Sequence, residues 1–210
     1  SLIAEVKQSS PSAGVIREDF NPAAIAMAYK NAGADCLSVL TDEKYFGGSS
    51  RNIEICKGAT GLPILRKDFI YDSYQLYEAR AWGADAVLLI VARLEPDRLS
   101  DLYKEAKQLR LDVLVEVHSL AEAKIALTIE ADLVGINNRD LGTFMTDLAI
   151  TEQLAPVFDR RCHIVSESAL ASKSDIERVH AAGANSVLIG TAFCSAANIE
   201  EKVHEVMNWQ

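Results

Sequence analysis

The feature that most constrains the fold is a short motif that recurs three times in the chain. Residues 32–35, 82–85 and 182–185 each contain a glycine, then an alanine, then Asp or Asn, directly before an apolar run. Glycine at this point allows a helix to end in a left-handed cap, and the apolar run that follows has the length of a β-strand. A repeated joint from helix to strand predicts repeated βα units.

Short apolar runs alternate with helical stretches along the rest of the chain. The predicted strands are residues 2–6, 36–40, 63–66, 86–90, 113–115, 133–136, 163–166 and 186–189. Helices are predicted between them, with N-caps at Asn21 and at Asp72 or Ser73, and with the weakest signal near Thr151. The polar residues 41–49 are predicted to form a long loop.

Strict alternation of apolar strands and helices is typical of a parallel sheet covered by helices. Eight such units close most naturally into a (β/α)8 barrel of the α/β class, and a barrel of this size is expected to be a single domain, residues 1–210. A doubly wound open sheet is the alternative. It would normally carry a G-x-G-x-x-G turn after the first strand, and this chain has none there.

Composition limits the partners that the chain can have. A net charge of −9 disfavours nucleic acid, whose phosphates would be repelled, and no apolar run approaches the length of a membrane span. Cys36, Cys56, Cys162 and Cys194 form no C-x-x-C pair, so we expect no metal site and no disulfide but reduced thiols in the cytoplasm. The chain begins at Ser1, just before the first strand, so we expect that a natural N-terminal segment has been removed.

Polar side chains end five of the predicted strands in the same phase. Glu5 and Lys7 alone would be interpreted as a surface ion pair, but apolar or small residues are followed by polar ones on the same face in four further strands. The polar positions are Glu5, Lys7, Lys67, Glu116, Asn137 and Glu167. Because strand ends meet at one face of a barrel, this recurrence favours a functional site over solvated strand ends.

The last two strands are followed by small residues and hydroxyls, where barrels of this type bind phosphate. Ser168, Ala169, Gly190 and Thr191 are the candidates, and Lys7 and Ser10 would rise beside them from the first strand. An apolar wall for a planar ring is predicted from Phe46, Phe69, Leu88, Leu141 and Pro11.

These residues carry a family resemblance. The motifs are A-E-V-K with S-P-S at residues 4–12, S-V-L-T-D-E-K-Y-F at 38–46, K-D-F-I at 67–70, E-V at 116–117, G-I-N-N-R-D-L at 135–141 and S-E-S at 166–168. Their order and spacing resemble the indole-3-glycerol-phosphate synthase family over essentially the whole chain. The resemblance implies a carbon–carbon lyase of tryptophan biosynthesis that cyclises, decarboxylates and dehydrates 1-(2-carboxyphenylamino)-1-deoxyribulose 5-phosphate without metal or organic cofactor.

The resemblance also implies roles for individual residues. Lys67 would be the acid at the substrate ketone, and Glu116 and Lys7 would supply the base and the acid of the later steps, although either lysine could serve as the acid in dehydration. Glu5, Asn137, Arg139, Glu167 and Ser168 would orient the substrate. The implied phosphate site is Lys7, Ser168, Ala169, Gly190 and Thr191, and the implied contacts to the rest of the substrate are Ser10, Pro11, Phe46, Phe69, Leu88, Arg139 and Leu141.

Two departures from the family pattern and two alternatives remain. The family usually has glycine where this chain has Ala169. The family also carries an N-terminal helical extension ahead of the first strand, and we expect it to be missing here. Fusion or association with other tryptophan-pathway enzymes is also open. Phosphoribosylanthranilate isomerase chemistry would need a Cys and Asp pair at strand ends, whereas Cys36 and Cys162 are at strand starts. The other alternative is a truncated barrel core that binds the phosphate ligand with little or no turnover.

Overall fold

Eight parallel strands close into a barrel in the computed structural model, which describes residues 1–140, 145–159 and 161–207. The strands are β1 (Leu2–Val6), β2 (Cys36–Leu40), β3 (Ile64–Lys67), β4 (Ala86–Ile90), β5 (Asp112–Val117), β6 (Leu133–Asn137), β7 (His163–Glu167) and β8 (Ser186–Ile189). Each strand pairs in parallel with its neighbours in the chain, and β8 closes the barrel on β1. The predicted (β/α)8 barrel is therefore confirmed.

Helices alternate with the strands and cover the outside of the barrel. The main ones are α1 (Pro22–Asn31), α2 (Arg51–Thr60), α3 (Ser73–Ala81), α4 (Pro96–Gln108), α5 (Leu120–Thr128), α6 (Ala149–Leu154), α7 (Lys173–Ala181) and α8 (Ile199–Met207). Asn21 caps α1 by accepting from the backbone N–H of Ala24, as its position before a proline predicts. Asp72, and not Ser73, is the N-cap of α3, and Gln75 completes a capping box with it.

Two apolar layers hold the barrel. The larger layer lies between the strands and the helices and includes the fully buried Leu37, Ile64 and Leu89. A smaller one fills the barrel interior. Its members are Leu65, Leu88, Ile90, Leu114, Val165 and Leu188, with Ile3, Phe69, Ala86 and Leu133 packed against them. The inward phase predicted for Ile3, Leu65, Leu114, Leu133 and Val165 is therefore correct. It places a polar residue at the mouth, two positions further on in four of these strands and four positions further on in β6.

The loops at the carboxyl ends of the strands hold more structure than the sequence predicts. The predicted loop at residues 41–49 contains a short helix, Glu43–Phe46, which Asp42 caps by accepting from the backbone N–H of Tyr45. After β1, the Ser/Pro-rich stretch forms an antiparallel hairpin in which Ser9–Ser10 pairs with Gly14–Val15. A second short helix, Thr191–Cys194, follows β8. Across the described ranges, no helix combines the length and the apolar character needed to cross a membrane.

Candidate active site

A cavity of about 830 Å³ opens at the carboxyl ends of the strands. It is lined by the predicted polar residues Glu5, Lys7, Lys67, Glu116, Asn137, Glu167 and Ser168, and by Ser10, Pro11, Phe46, Phe69, Leu88, Arg139, Ala169, Gly190 and Thr191. Leu141, the remaining predicted residue, lies outside the described residues. The cavity has the size and mixed polarity of a small-molecule site.

Lys67 stands at the centre of the polar groups. From the end of β3 its Nζ lies 3.2 Å from Glu167 Oε2 and 3.5 Å from Glu5 Oε2, and its side chain is only 15% exposed. Burial alone would lower the pKa of Lys67, but the carboxylates of Glu167, Glu5 and Glu116 outweigh burial and raise this pKa above its ordinary value. Lys67 is therefore a cation in a pocket that is largely shielded from water.

Glu5 is shared between two lysines. Its Oε1 lies 2.5 Å from Lys7 Nζ, while its Oε2 faces Lys67. Burial alone would raise the pKa of Glu5, but the charges of Lys7 and Lys67 lower this pKa from its ordinary value of 4.5 to about 2. A Cβ atom at Gly190 would overlap Glu5 Oε1, so the glycine at the end of β8 leaves room for this carboxylate.

Glu167 is the most buried of the three cavity glutamates, Glu5, Glu116 and Glu167, and its pKa is shifted in the direction opposite to that of Glu5. Glu167 is 1% exposed, and Lys67 is its ion-pair partner among the described residues. Burial raises the pKa of Glu167 above its ordinary value, and the nearby charge of Glu116 raises it further, although Lys67 opposes both. The pKa values of two carboxylates that pair with the same lysine are thus shifted in opposite directions. Such an arrangement is typical of acid–base sites.

Glu116, at the end of β5, has a partner that the sequence analysis did not find. His118 Nε2 lies 3.4 Å from Glu116 Oε1, and His118 Nδ1 lies 3.2 Å from Glu122 Oε2 at the start of α5. Glu122 also accepts from the backbone N–H of His118 and from the hydroxyl of Ser119. The only signal in the sequence was the spacing of four residues between a histidine and a glutamate across a helix start.

The loop after β7 is held in an unusual backbone conformation. Ser168 and Ala169 both have positive φ angles, 66° and 62°, which non-glycine residues rarely adopt. Asn138, fully buried at the end of β6, donates to the carbonyls of Glu167 and Ser168 at 2.9 and 3.3 Å. The side-chain oxygen of Asn138 accepts from the backbone N–H and the hydroxyl of Thr151, at 3.1 and 2.8 Å. This buried network fixes the loop that borders the cavity.

Comparison with known proteins agrees with this geometry. A family model described as indole-3-glycerol phosphate synthase matches residues 1–206. The indole-3-glycerol phosphate synthase of Dehalococcoides mccartyi (strain CBDB1) is 47% identical over 209 residues, which cover 98% of this chain and 81% of that protein. The protein of the same name from Acidithiobacillus ferrooxidans (strain ATCC 53993 / BNL-5-31) is 50% identical over 197 residues, 94% of this chain and 75% of the relative.

The chain belongs to the indole-3-glycerol phosphate synthase family. Solved structures with lower identity share the fold alone. The crystal structure of 3-hexulose-6-phosphate synthase superposes with a TM-score of 0.74 at 16% identity and covers 99% of this chain and 98% of that one. An N-acetylmannosamine-6-phosphate 2-epimerase from Clostridium perfringens gives 0.73 at 16% identity, covering 91% and 86%.

The apolar side of this indole-3-glycerol phosphate synthase family site is an aromatic cluster. Phe46 and Phe69 have ring centroids 6.3 Å apart, and Tyr45 meets Phe69 edge-on at 6.4 Å. Tyr45 was predicted only as part of a polar loop, and the short helix Glu43–Phe46 brings it to the cavity rim. Leu88 lies in the interior cluster at the cavity floor. Together these groups can hold a planar aromatic ring.

Behind Lys67, a buried arginine fixes the end of β3. Arg66 is 3% exposed. It donates to the Asp68 carboxylate at 3.1 Å and to the backbone carbonyl of Gln75 at 2.6 Å. Its guanidinium lies 4.3 Å from the centroid of the Trp82 ring. Asp68 in turn accepts from the backbone N–H of Phe69. This network joins the strand end to α3 and limits the movement of Lys67 and Phe69.

No metal-binding arrangement is found in the part of the chain that the structure describes, since no three His, Cys, Asp or Glu side chains converge there in a suitable way. The strand-end cluster instead mixes lysines with glutamates. Such a set can donate and accept protons and can hold an anionic substrate.

Proposed function

We propose that this chain catalyses the carboxy-lyase reaction of its family, which is a step of tryptophan biosynthesis. The substrate would be 1-(2-carboxyphenylamino)-1-deoxyribulose 5-phosphate, and the product indole-3-glycerol phosphate, carbon dioxide and water. The observation that carries this proposal is the cationic Lys67 held between Glu5 and Glu167 in a cavity that Glu116 and Lys7 also line. The family membership of the chain supports the same assignment.

In the first step, a carbon–carbon bond forms between the ring carbon that carries the carboxylate and the ketone carbon of the sugar chain. The ketone oxygen gains negative charge as the bond forms and needs a proton. Lys67 is a cation shielded from water, so it can donate this proton from Nζ and stabilise the developing charge. Glu5 and Glu167 hold the ammonium group in place.

Loss of carbon dioxide follows because it restores the aromatic ring. This step requires orientation of the carboxylate and exclusion of water rather than a strong acid or base. The aromatic cluster of Tyr45, Phe46 and Phe69 suits the ring. Arg139 lines the same cavity, and its charge suits the carboxylate that is lost.

The last step removes the new hydroxyl group as water and completes the indole. Glu116 is the base that we propose for the proton lost from the substrate, because its carboxylate is buried at the cavity wall. Lys7 and Lys67 both line the cavity, and either can protonate the departing hydroxyl. Asn137 also lines the cavity, and we propose that its amide orients the substrate hydroxyls.

The phosphate is proposed to lie near Lys7, between the loops after β7 and β8. Ser10, Ser168, Ala169, Gly190 and Thr191 line this part of the cavity. The positive φ angles of Ser168 and Ala169 shape the first loop. Leu88 and Pro11 would contact the aromatic end of the substrate, and the contact expected of Leu141 remains a prediction.

The chemistry also guides the wider proposals. Condensation, decarboxylation and dehydration need only proton transfer and orientation, so we propose that no metal or organic cofactor takes part. We further propose that residues 1–210 form one domain, that the chain acts in the cytoplasm, and that, with its net charge of −9, it does not bind nucleic acid. Fusion or association with other enzymes of the pathway stays a prediction.

The direct test is to incubate the purified chain with the substrate and follow the fluorescence of the indole product. We expect product that requires the sugar phosphate, with one carbon dioxide released per indole formed. Binding of the substrate without product would contradict the proposed function and would favour a barrel that binds the phosphate ligand with little or no turnover.

A further inference from the structure

We propose that His118 is a positioning residue for Glu116, and that it acts as a bridge between the carboxylates of Glu116 and Glu122. The inference rests on the proposed function, because it concerns the residue proposed as the base. It does not depend on where the substrate phosphate binds. His118 is not among the described residues that line the cavity, but its ring lies against Glu116, which does line it, so we expect its effect on the reaction to pass mainly through Glu116.

The geometry defines the bridge. His118 Nε2 is buried, has no hydrogen-bond partner within the described residues, and lies 3.4 Å from Glu116 Oε1. On the other side of the ring, Nδ1 lies 3.2 Å from Glu122 Oε2. The imidazole side chain is 11% exposed. A buried polar atom without a hydrogen bond is unfavourable, so Nε2 is best satisfied by turning fully towards Glu116.

Glu122 has little freedom to move away from the ring. Its Oε2 accepts from the His118 backbone N–H at 2.9 Å, and its Oε1 accepts from the Ser119 hydroxyl at 3.0 Å. The Ser119 hydroxyl in turn accepts from the Glu122 backbone N–H, which caps α5. The first turn of α5 thus anchors Glu122, Glu122 anchors the imidazole, and the imidazole faces Glu116.

Charge favours the doubly protonated form of the ring. Only an imidazolium can donate from both nitrogens, and both nitrogens face carboxylates. The carboxylates that act on His118 belong to Glu116 on β5, the strand that ends just before His118, to Glu122 on α5 and to Glu167 on β7. Burial would lower the pKa of His118, but these three groups raise the pKa above its ordinary value. An imidazolium that donates to Oε1 of Glu116 holds this carboxylate in one orientation and fixes which oxygen faces the substrate.

The test in catalysis compares His118→Ala and His118→Gln with His204→Gln, a change at an exposed histidine on α8. For His118→Ala we expect kcat to fall about tenfold or more with KM within about twofold, because the residue acts through the base and not through substrate contact. The acid limb of the kcat/KM profile should move to higher pH by about one unit. His118→Gln should recover part of kcat but not the position of the acid limb, since an amide donates without charge.

A raised KM with unchanged kcat, or an unchanged pH profile, would overturn the proposal. Glu122→Gln provides a second variant if both His118 changes impair folding, and it should shift the acid limb in the same direction. A nuclear magnetic resonance titration of the His118 ring needs no turnover and separates this proposal from the proposed function. Glu116→Gln should lower the His118 pKa by about one unit, and an unchanged pKa would show that the two side chains are not coupled.

Discussion

Gly135 leaves the space that the carboxylate of Glu167 occupies. A Cβ atom at position 135 would overlap Glu167 Oε1 and would lie 3.4 Å from Leu114 Cδ1. Gly135 lies on the inner face of β6 between Leu133 and Asn137, and its register partner on β7 is Val165. Because Gly135 on β6 has no side chain, the carboxylate of Glu167 on β7 can take the position in which it pairs with Lys67 on β3.

Gly135→Ala should displace Glu167 and reduce turnover by about tenfold or more, because a small misplacement of catalytic groups has large effects. Overpacking at this site should also lower the free energy of unfolding by about 1–3 kcal/mol. Steady-state kinetics and urea denaturation measure the two effects. Gly58→Ala is the matched control, since nothing lies within 4 Å of a Cβ there and helix α2 should gain about 0.5–1 kcal/mol. Full activity in the Gly135 variant would contradict the steric argument.

Glu5 should contribute to the pH dependence of stability. Because its folded pKa of about 2 lies below the ordinary value of 4.5, its contribution is complete above pH 5 and is lost as the pH falls towards 2. This shift corresponds to about 3 kcal/mol. Glu5→Gln should therefore flatten the dependence of the free energy of unfolding on pH between 5 and 3, as measured by urea denaturation.

Glu177→Gln is the control for this experiment, because the ion pair of Glu177 with Lys173, at 3.7 Å, is exposed to solvent. Its curve should run parallel to that of the unmodified chain. If the Glu5 variant also ran parallel, the two lysines would not be holding Glu5 in its charged form.

Ala169→Gly should stabilise the chain by about 1 kcal/mol, because glycine adopts a φ of 62° without the steric cost that alanine bears. Ala121→Gly, at an exposed position in α5, should have the opposite sign and destabilise the chain by about 0.5–1 kcal/mol. The free energies come from urea denaturation of the three chains. A loss of stability in Ala169→Gly would mean that packing of the methyl group outweighs backbone strain.

The barrel and its polar mouth could be predicted because both follow from local periodicity. The order of apolar runs set the strand count, and the two-residue alternation along β1, β3, β5, β6 and β7 placed the polar residues on the inner face. The family resemblance also marks Ala169 as unusual, because the family pattern has glycine at this position. The structure places that residue at φ 62°.

Contacts that depend on how the loops fold and how the elements pack could not be predicted in this way. His118 is two residues past Glu116, and only the closed β5–α5 connection brings the ring to both glutamates. Arg66 lies within an apolar strand, where periodicity alone assigns it no partner, yet it is buried against Asp68 and Trp82. The small residue Gly135 carried no signal of its own, because its importance depends on a glutamate in the next strand.

The central claim is that Lys67 is the acid of the ring-closing step, and Lys67→Met tests it most directly. The variant keeps an aliphatic stem of similar length but has no proton to donate. We predict that kcat for indole formation falls about a hundredfold or more while the circular dichroism spectrum is unchanged, and that Lys104→Met, at an exposed position on α4, retains full activity. A folded Lys67→Met variant that keeps most of the unmodified rate would contradict this account.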